Sequence, residues 1–350
     1  MLRSIRKATI AAALAAGTAH AVVTNTPTWI AVDLGTLGGP GSYGAAVSDT
    51  GYVAGCADLA DGTAHAFLYD GKMHDLGTGG GDANGSSCAL AVNDRGVAAG
   101  RSSSGDLVMW SGKSVTPLGV KGTVGGINDL NVIVGAAGQA GATHAFVYSN
   151  GELATLGNAD AVSEATAINL RGQVAGTISG RAFLYENGNL RDLGTLGGFS
   201  SAKGIDQRGQ VVGMSTDTNG TPYPFVWSAG SMQRVAAAPS SSGAVDIDDF
   251  GRVIGSAEGT YGYVIANGTY TRLDTLPEVV AKGWRHLEPT GINESGWIVG
   301  TATDGAGNLR AFLLVPSHGA ATSAIELTGG LARAGAPGRF FATTTSASEP

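Results

Sequence analysis

Positive charge is scarce in this chain of 350 residues. It carries 21 Lys and Arg against 28 Asp and Glu, which gives a formal net charge of −7. The few basic residues are spread thinly through the chain and form no stripe, so we expect no nucleic-acid partner. After the N-terminal region, no apolar run approaches the roughly eighteen residues that a membrane-spanning helix needs, and we expect no membrane span.

The usual signatures of catalysis and of bound cofactors are also missing. There is no Cys-x-x-Cys or His-x-x-x-His pair for a metal, no Gly-Lys-Ser/Thr loop for a phosphate and no Gly-x-Ser-x-Gly turn for a serine nucleophile. His65 and His144 occupy the same place in a repeated unit, which favours a scaffold role over the role of a base. We therefore predict no catalytic residues, no metal site and no cofactor.

One acidic cluster, formed by Asp246, Asp248 and Asp249, leaves calcium binding open as an alternative. The cluster does not match the alternation of Asp and Asn with a terminal Glu that calcium loops use. Asp248 also belongs to a repeated turn. Asp246 stands where the other repeats have Ala or Gly, and ordinary sequence drift is the competing explanation.

Glycine, in contrast, is abundant, with 57 residues. Much of it belongs to a pattern that recurs seven times between residues 30 and 315. Each repeat contains a four-residue turn, whose short polar first residue caps the turn and whose last residue, Gly or Asn, accepts a positive φ. The turns are Ser48–Gly51, Asn93–Gly96, Asn128–Asn131, Asn169–Gly172, Asp206–Gly209, Asp248–Gly251 and Asn293–Gly296.

Each turn joins two apolar segments, and a second glycine is expected to close the later one. These glycines are Gly55, Gly100, Gly135, Gly176, Gly213, Gly255 and Gly300. A third segment with large side chains, such as Ala66-Phe67-Leu68-Tyr69, and a fourth centred on Leu or Val complete the unit. Four strand-like segments with a period of roughly forty residues are typical of β-propeller blades.

The two ends of the array indicate how it closes. The seventh unit stops after Leu314 without a fourth strand, whereas an unassigned fourth strand, Ile30 to Leu34, precedes the first unit. If this N-terminal strand completes the last blade, it covers the edge that the missing fourth strand would leave exposed. We predict an all-β fold, a seven-bladed β-propeller closed by the N-terminal strand, with a β-solenoid as the alternative.

The N-terminus has the composition of an export signal. Three basic residues precede the short apolar run Ala8 to Thr18, and Ala19-His20-Ala21 fits the cleavage rule of signal peptides. We predict a signal peptide at residues 1–21, the propeller at residues 22–316 and a flexible tail at residues 317–350. Cleavage near Ala21 would make the protein secreted or periplasmic, and a plain N-terminal helix is the alternative.

Only two cysteines are present, Cys56 and Cys88, and both lie in the exported part. Their positions, after the second strand of one repeat and at the start of the next, share one face of a propeller. Because an oxidising compartment favours pairing of an even number of thiols, we predict a disulfide between them. It would stabilise the fold by roughly 3 to 4 kcal/mol in the chain-entropy account. Two unpaired buried thiols are the alternative.

Several of these segments resemble the HAF family of bacterial extracellular repeat proteins. The resemblance rests on His65-Ala66-Phe67, His144-Ala145-Phe146, the run from Asp33 to Gly39 and turns such as Gly291-Ile292-Asn293. It covers residues 29–316 and implies a secreted bacterial protein, but it brings no established activity or catalytic residues. Some members end in a hydrophobic sorting tail, which this chain lacks, so the resemblance implies a released or periplasmic protein.

Two loops that share one propeller face are candidate ligand-binding sites, by analogy with the fold. The loop at residues 274–290 contains Trp284, Arg285 and His286, which would stack on a sugar ring and bond its hydroxyl groups. A plug over the core is the alternative role for Trp284. The loop at residues 217–223 presents Tyr223, with an ordinary turn as the alternative.

These features favour a secreted, monomeric, non-catalytic binding or scaffold propeller whose ligand is a saccharide or a protein. A glycan-active enzyme, a lyase or a hydrolase, is the first alternative, because some propellers bring paired carboxylates together at the axis. A structural matrix or adhesion protein is the second. An acidic pocket at the axis would favour the enzyme, and an exposed aromatic patch would favour binding.

Overall fold

A computed structural model describes residues 28–82, 84–139, 142–157, 161–257 and 260–317. The predicted signal peptide lies outside the described residues, and so does the predicted tail apart from its first residue. Among the described residues, β-strand is the dominant secondary structure, and helix is confined to two short segments. Their longest helix has five residues, and none of their helices has the length and hydropathy needed to cross a membrane.

The strands follow one another as seven four-stranded blades, after a first strand β1 (Thr28–Asp33). Blade 1 comprises β2 (Gly38–Val47), β3 (Val53–Leu59), β4 (Ala64–Tyr69) and β5 (Met73–Asp75). Blade 2 comprises β6 (Cys88–Val92), β7 (Ala98–Arg101), β8 (Asp106–Ser111) and the first half of β9 (Ser114–Ile127). Blade 3 comprises the second half of β9 with β10 (Ile133–Gln139), β11 (Ala142–Ser149) and β12 (Glu152–Thr155).

The remaining blades are built in the same order. Blade 4 comprises β13 (Ser163–Ile168), β14 (Val174–Ile178), β15 (Arg181–Glu186) and β16 (Asn189–Asp192). Blade 5 comprises β17 (Ser200–Ile205), β18 (Val211–Thr216), β19 (Pro222–Ser228) and β20 (Ser231–Arg234). Blade 6 comprises β21 (Ser242–Ile247), β22 (Val253–Ala257), β23 (Tyr261–Ala266) and β24 (Thr269–Arg272). A 3₁₀ turn (Leu273–Thr275) and α1 (Pro277–Ala281) lead to β25 (Arg285–Ile292), β26 (Ile298–Thr303) and β27 (Leu309–Ser317) of blade 7.

The N-terminal strand completes the last blade, as the sequence predicts. β1 pairs antiparallel with β27, from Thr28 opposite Ser317 to Asp33 opposite Phe312, and the sheet order is β1-β27-β26-β25. The Arg310 guanidinium and the Asp33 carboxylate form an ion pair at 3.0 Å across these strands. The outer edge of blade 7 is therefore covered by a strand from the other end of the chain.

The second glycine of each repeat lies inside a strand and does not close it, which corrects the sequence-based expectation. Gly55 is the third residue of β3 and faces Phe67 of β4. A Cβ atom on Gly55 would lie 2.7 Å from the Phe67 ring and would overlap the Tyr43 carbonyl, which a β-bulge in β2 brings close. The same contact recurs in the pairs Gly135 with Phe146, Gly176 with Phe183, Gly255 with Tyr263 and Gly300 with Phe312.

A buried serine at the start of the innermost strand ties neighbouring blades together. The Ser87 hydroxyl of blade 2 accepts a hydrogen bond from the Ala66 backbone N–H of blade 1 at 2.9 Å. The same bond, also at 2.9 Å, joins Ser163 to Ala145, Ser200 to Ala182 and Ser42 to Ala311. In blade 5 the alanine position is Pro224, which has no N–H to donate, and Ser242 binds the Pro239 carbonyl instead.

The predicted disulfide is present and joins blades 1 and 2. Cys56 lies in β3, and Cys88 is the first residue of β6. Cys56 is thus inside its strand, one residue after Gly55, and not beyond the end of the strand as expected. The bridge spans 32 residues of sequence and crosses one blade interface.

Trp29 of β1 is 8% exposed and packs in the core of blade 7. If β1 completes this blade, substitution of Trp29 should strongly destabilise the protein. We expect Trp29→Ala to lower the free energy of unfolding by about 3 to 5 kcal/mol, measured by urea denaturation, because it removes a buried indole and leaves a cavity. Ile30→Ala is the control, since Ile30 is 38% exposed on the same strand. Equal effects of the two variants would contradict the docking of β1.

The disulfide predicts that the denatured, unreduced protein contains no free thiol. Because the bridge closes a 32-residue loop, its removal should cost roughly 3 to 4 kcal/mol of stability. Thiol titration with and without reductant gives the first value, and melting of Cys56→Ala/Cys88→Ala gives the second. Two free thiols in the unreduced protein would rule out the bridge.

Candidate functional site

The seven repeated turns converge at the propeller axis, on a surface that we call the turn face. The first residue of each turn caps it, as predicted: the Asn93 Oδ1 atom accepts from the Arg95 and Val97 N–H groups at 3.1 and 3.0 Å. The Asn93 Nδ2 group also donates to the Asn128 carbonyl of the next blade at 3.0 Å. Asn128, Asn169 and Asn293 make the same inter-blade bond, to the carbonyls of Asn169, Asp206 and Ser48.

The second residues of the seven turns form a group that we call the turn ring. They are Asp49, Asp94, Asp129, Leu170, Gln207, Asp249 and Glu294. All of them except Asp249 line the central channel. Most of their side chains accept a backbone N–H from the preceding blade. Glu294 N–H donates to Asp49, and Asp249 N–H donates to Glu294, at 2.9 and 3.0 Å. The bond from Glu294 to Asp49 connects the last blade to the first, so these bonds continue across the place where the ring closes.

The turn ring has one gap among the described residues, between blades 3 and 4. Gln207, Leu170 and Asp94 donate their N–H groups to Asp249, Gln207 and Asp129, and Thr50 donates to Asp94. The Leu170 side chain has no acceptor atom, so it cannot take the corresponding N–H of Asp129. Its aliphatic side chain is 48% exposed.

Below the turn ring, the innermost strands line a channel of about 250 Å³. Asp246 of β21 projects into it where the equivalent residues are small, namely Ala46, Ala91, Gly126, Ala167, Gly204 and Gly291. The Asp246 carboxylate accepts from the Ile247 N–H at 2.9 Å and, across the blade interface, from the Ile292 N–H at 3.1 Å. It therefore adds a bond between blades 6 and 7 that the small residues cannot make.

Two carboxylates of this region have strongly raised pKa values. Burial raises the pKa of Asp246 to about 7, and the neighbouring Asp248 and Asp49 charges add to the rise, although two backbone N–H bonds oppose it. Burial likewise raises the pKa of Glu294 to about 7, with added repulsion from Asp249, Asp49 and Asp248. Both groups lie where blades 6 and 7 meet, so the charge of this interface changes near neutral pH.

An aromatic ring stands exposed on the turn face. Phe250, the third residue of the blade 6 turn, is 72% exposed. The Arg252 guanidinium lies 5.2 Å from its ring centre, pairs with Asp248 and donates to the Glu294 carbonyl at 2.7 Å. The turn face thus places an open apolar ring next to fixed hydrogen-bonding groups.

Trp284, Arg285 and His286 lie near the opposite ends of the strands. Trp284 is 5% exposed and packs against Phe312, with ring centres 6.2 Å apart, so its indole has no open face for a sugar. The structure therefore gives Trp284 the plug role. The predicted loop also contains α1, and Arg285 and His286 already belong to β25. Both are exposed, and their part in ligand binding stays a prediction.

Tyr223 lies in blade 5, away from the blade 7 residues, so the structure does not gather the four candidates into one site. The Arg234 guanidinium lies 3.6 Å from the centre of the Tyr223 ring and covers one face of it. Arg234 in turn approaches the Asp217 carboxylate at 3.5 Å. Tyr223 is half-buried at the start of β19, and its role in binding also stays a prediction.

The carboxylates of the acidic cluster around Asp248 accept hydrogen bonds from backbone N–H groups. Asp248 accepts the Phe250 and Arg252 N–H groups and pairs with the Arg252 side chain, while Asp249 accepts the Gln207 N–H. Across the described ranges, no group of three or more His, Cys, Asp or Glu side chains is placed to hold a metal ion. These contacts give the cluster a structural role.

The sequence interpretation missed the turn ring, because the second turn residue differs among repeats. A usable signal was present, since five of these seven positions are acidic. Phe250 was missed for the same reason, because the third turn residue also differs among repeats. Leu130 and Arg171, for example, hold this position in blades 3 and 4. The departure of Asp246 from the repeat did identify a residue of the channel.

Comparison with known proteins supports the fold and goes no further. No family model matches this chain, and no curated protein matches it. The WD40 β-propeller domain of Doa1 is similar in structure, with a TM-score of 0.50 and 16% identity over 81% of this chain and 96% of that chain. A mutant Aleuria aurantia lectin in complex with alpha-methyl-L-fucoside gives 0.34 and 11% over 85% and 97%. AofleA from Arthrobotrys oligospora gives 0.35 and 13% over 70% and 88%. The first of these likenesses shows a β-propeller fold.

The raised pKa values make the stability of the fold depend on pH. An acid with a higher pKa in the folded state takes up protons on folding between its unfolded pKa, about 4, and its folded pKa, about 7. The free energy of unfolding therefore falls as the pH rises through this window, by at most about 1.4 kcal/mol per pH unit for each proton. We expect the melting temperature to decrease from pH 5 to pH 8.

The variant Asp246→Ala, which carries the residue of three other repeats, should show a smaller decrease over the same range. Glu152→Gln is the matched control, because Glu152 is exposed on the outermost strand of blade 3. It should retain the pH dependence of the original protein. An unchanged slope in Asp246→Ala would mean that Asp246 does not titrate in this window.

Proposed function

We propose that this protein is a secreted, non-catalytic binding propeller and that it recognises saccharides on its turn face. The observation that carries the proposal is the exposed Phe250 ring on the turn face, with the Arg252 guanidinium beside it. An apolar ring flanked by hydrogen-bonding groups suits a sugar, which presents C–H faces and hydroxyl edges. Export is supported by the sequence of residues 1–21 and by the disulfide between Cys56 and Cys88.

The rigidity of the turn face supports a binding role. Its turns are short, and each is held both by its own first residue and by bonds to a neighbouring blade, as Asn93 and Asp129 show. A surface that is already ordered loses little conformational entropy when a ligand binds. Weak, polar ligands such as saccharides gain most from this preorganisation.

A glycan-active enzyme is the second candidate, and the channel acids favour it. Glu294 and Asp246, with pKa values of about 7, lie close to Asp49 and Asp249, and pairs of carboxyl groups in different environments perform glycoside hydrolysis. Against this role, these carboxylates hold backbone N–H groups of adjacent blades. Using them for proton transfer would loosen the bonds between blades, so we place binding first.

The proposal predicts that Phe250→Ala weakens saccharide binding at least tenfold without unfolding the protein. The full chain would first be applied to an array of bacterial envelope saccharides, and the affinity of each hit measured by calorimetry. Leu130→Ala is the control, because Leu130 holds the same turn position in blade 3 and is also 72% exposed. Because both side chains are exposed, melting should change by only a small amount.

Each result decides between the function classes. Loss of binding in Phe250→Ala alone supports an aromatic sugar platform on the turn face. Equal loss in Leu130→Ala would indicate a broad apolar contact and hence a protein ligand. Release of reducing ends from the saccharides, abolished by Glu294→Gln, would establish the enzyme, and an array without hits would overturn the proposal.

A further inference from the structure

A second concave site lies between blades 4 and 5, outside the central channel. It is a cleft of about 370 Å³. Blade 4 contributes Gln173, Glu186 and Arg191, and blade 5 contributes Arg208, Gln210 and Trp227. Because Leu184 pairs with Arg191 and Glu186 with Asn189 across β15 and β16, these side chains share the sheet face that is turned toward blade 5.

The acidic side of the cleft is fixed by a chain of hydrogen bonds that begins at the turn face. The Asn169 Nδ2 group donates to Gln173 Oε1 at 2.6 Å, and Gln173 Nε2 donates to Glu186 Oε1 at 2.7 Å. The other carboxylate oxygen of Glu186 has no donor among the described residues. One acceptor atom of Glu186 is thus held in place and open to the cleft.

The basic side of the cleft is fixed by stacking. The Arg191 guanidinium lies 4.9 Å from the centre of the Trp227 ring, a cation–π arrangement that leaves its N–H edges free. No carboxylate of the described residues lies within ion-pair distance of Arg191, and Arg191 is exposed. Arg208 differs, because it pairs with Asp206 at 3.0 Å and donates to Gln210 at 2.8 Å.

Blade 1 contains residues equivalent to Glu186 and Arg191 and provides an internal comparison. By strand register, Asp70 and His74 hold the positions of Glu186 and Arg191. In blade 1 the two side chains bind each other, with His74 Nε2 2.8 Å from Asp70 Oδ1. In blade 4 the acid binds Gln173 and the base stacks on Trp227, so both keep free hydrogen-bonding capacity across a shared cleft.

The charges of the cleft indicate the class of ligand. Arg208 is balanced by Asp206, and Glu186 balances Arg191, so the site has no net formal charge. It offers donors from Arg191 beside an acceptor on Glu186. Each hydroxyl group of a sugar both donates and accepts, as this pair of groups requires. Because the site has no net formal charge, the attraction of an acidic sugar to Arg191 is offset by its repulsion from Glu186.

We propose that the cleft between blades 4 and 5 binds a neutral sugar unit, with Arg191 and Glu186 as its hydrogen-bonding residues. The ligand class rests on the proposed function, but the site is separate from the Phe250 platform. Arg208 connects the two, because its Nη2 atom lies 3.9 Å from where a Cβ of Gly251 would stand. An extended glycan would therefore contact both places on one side of the turn face.

The test uses the full chain and a panel of methyl glycosides of neutral hexoses and of the matching hexuronic acids, with affinities measured by calorimetry. We expect Arg191→Met and Glu186→Gln each to weaken binding of the neutral glycosides at least tenfold. Methionine keeps an apolar cover over Trp227, and glutamine still accepts from Gln173, so both variants should melt like the original protein. His74→Ala is the matched control in blade 1 and should change affinity less than twofold.

The outcomes separate this inference from the proposed function. Unchanged affinity in Arg191→Met would contradict the proposal that the cleft binds a neutral sugar, and so would tighter binding of the hexuronic acids than of the hexoses. Neither result would contradict saccharide binding by the turn face. An affinity that falls in Arg191→Met and stays unchanged in Phe250→Ala would support sugar binding in the cleft and contradict sugar binding at Phe250. Absence of binding to every glycoside would overturn the inference about the cleft, whereas the proposed function is decided by the array of envelope saccharides.

Discussion

The capture of a backbone N–H by a side chain of the adjacent blade is the interaction on which this structure depends. Tight turns leave N–H groups that a blade cannot satisfy by itself, and an unpaired polar group costs free energy when it is buried. Glu294, whose N–H binds Asp49 while its carboxylate accepts from Asp249, shows how one residue links three blades. The acidic character of the channel mouth follows from this exchange, because carboxylates such as Asp49 and Glu294 supply the acceptor atoms.

Much of the fold was predictable because its signals are local. The polar first residue and the final Gly or Asn of each turn are three positions apart and have direct hydrogen-bonding and steric causes. The closure was predictable because the repeat shows that a fourth strand is missing after Leu314. The role of Gly55 was not predictable, since it depends on three strands at once: a bulged carbonyl at Tyr43, the glycine itself and the Phe67 ring. The role of Ser87 likewise appears only once two blades are placed side by side.

Sites made by several blades were harder to predict than the fold. Trp284 was a candidate binding residue because a loop was expected at this position. In the structure, α1 and blade 7 enclose its side chain. Arg191 and Trp227 lie in different blades, and nothing in the linear sequence pairs them. Asp246 was recognisable because a repeat gives each position its own reference, so a charged residue among small ones is visible without a structure.

The pairing of β1 with β27 also sets the order in which the molecule matures. Thr28 and Ser317 are 289 positions apart, and bringing such distant segments together costs about 3 kcal/mol more chain entropy than forming a ten-residue hairpin. Blades 1 to 6 consist of strands near one another in sequence, whereas blade 7 needs both ends of the array. In a chain that is still being synthesised, β1 therefore has no strand to pair with, and the ring can close only after residue 317 has been added.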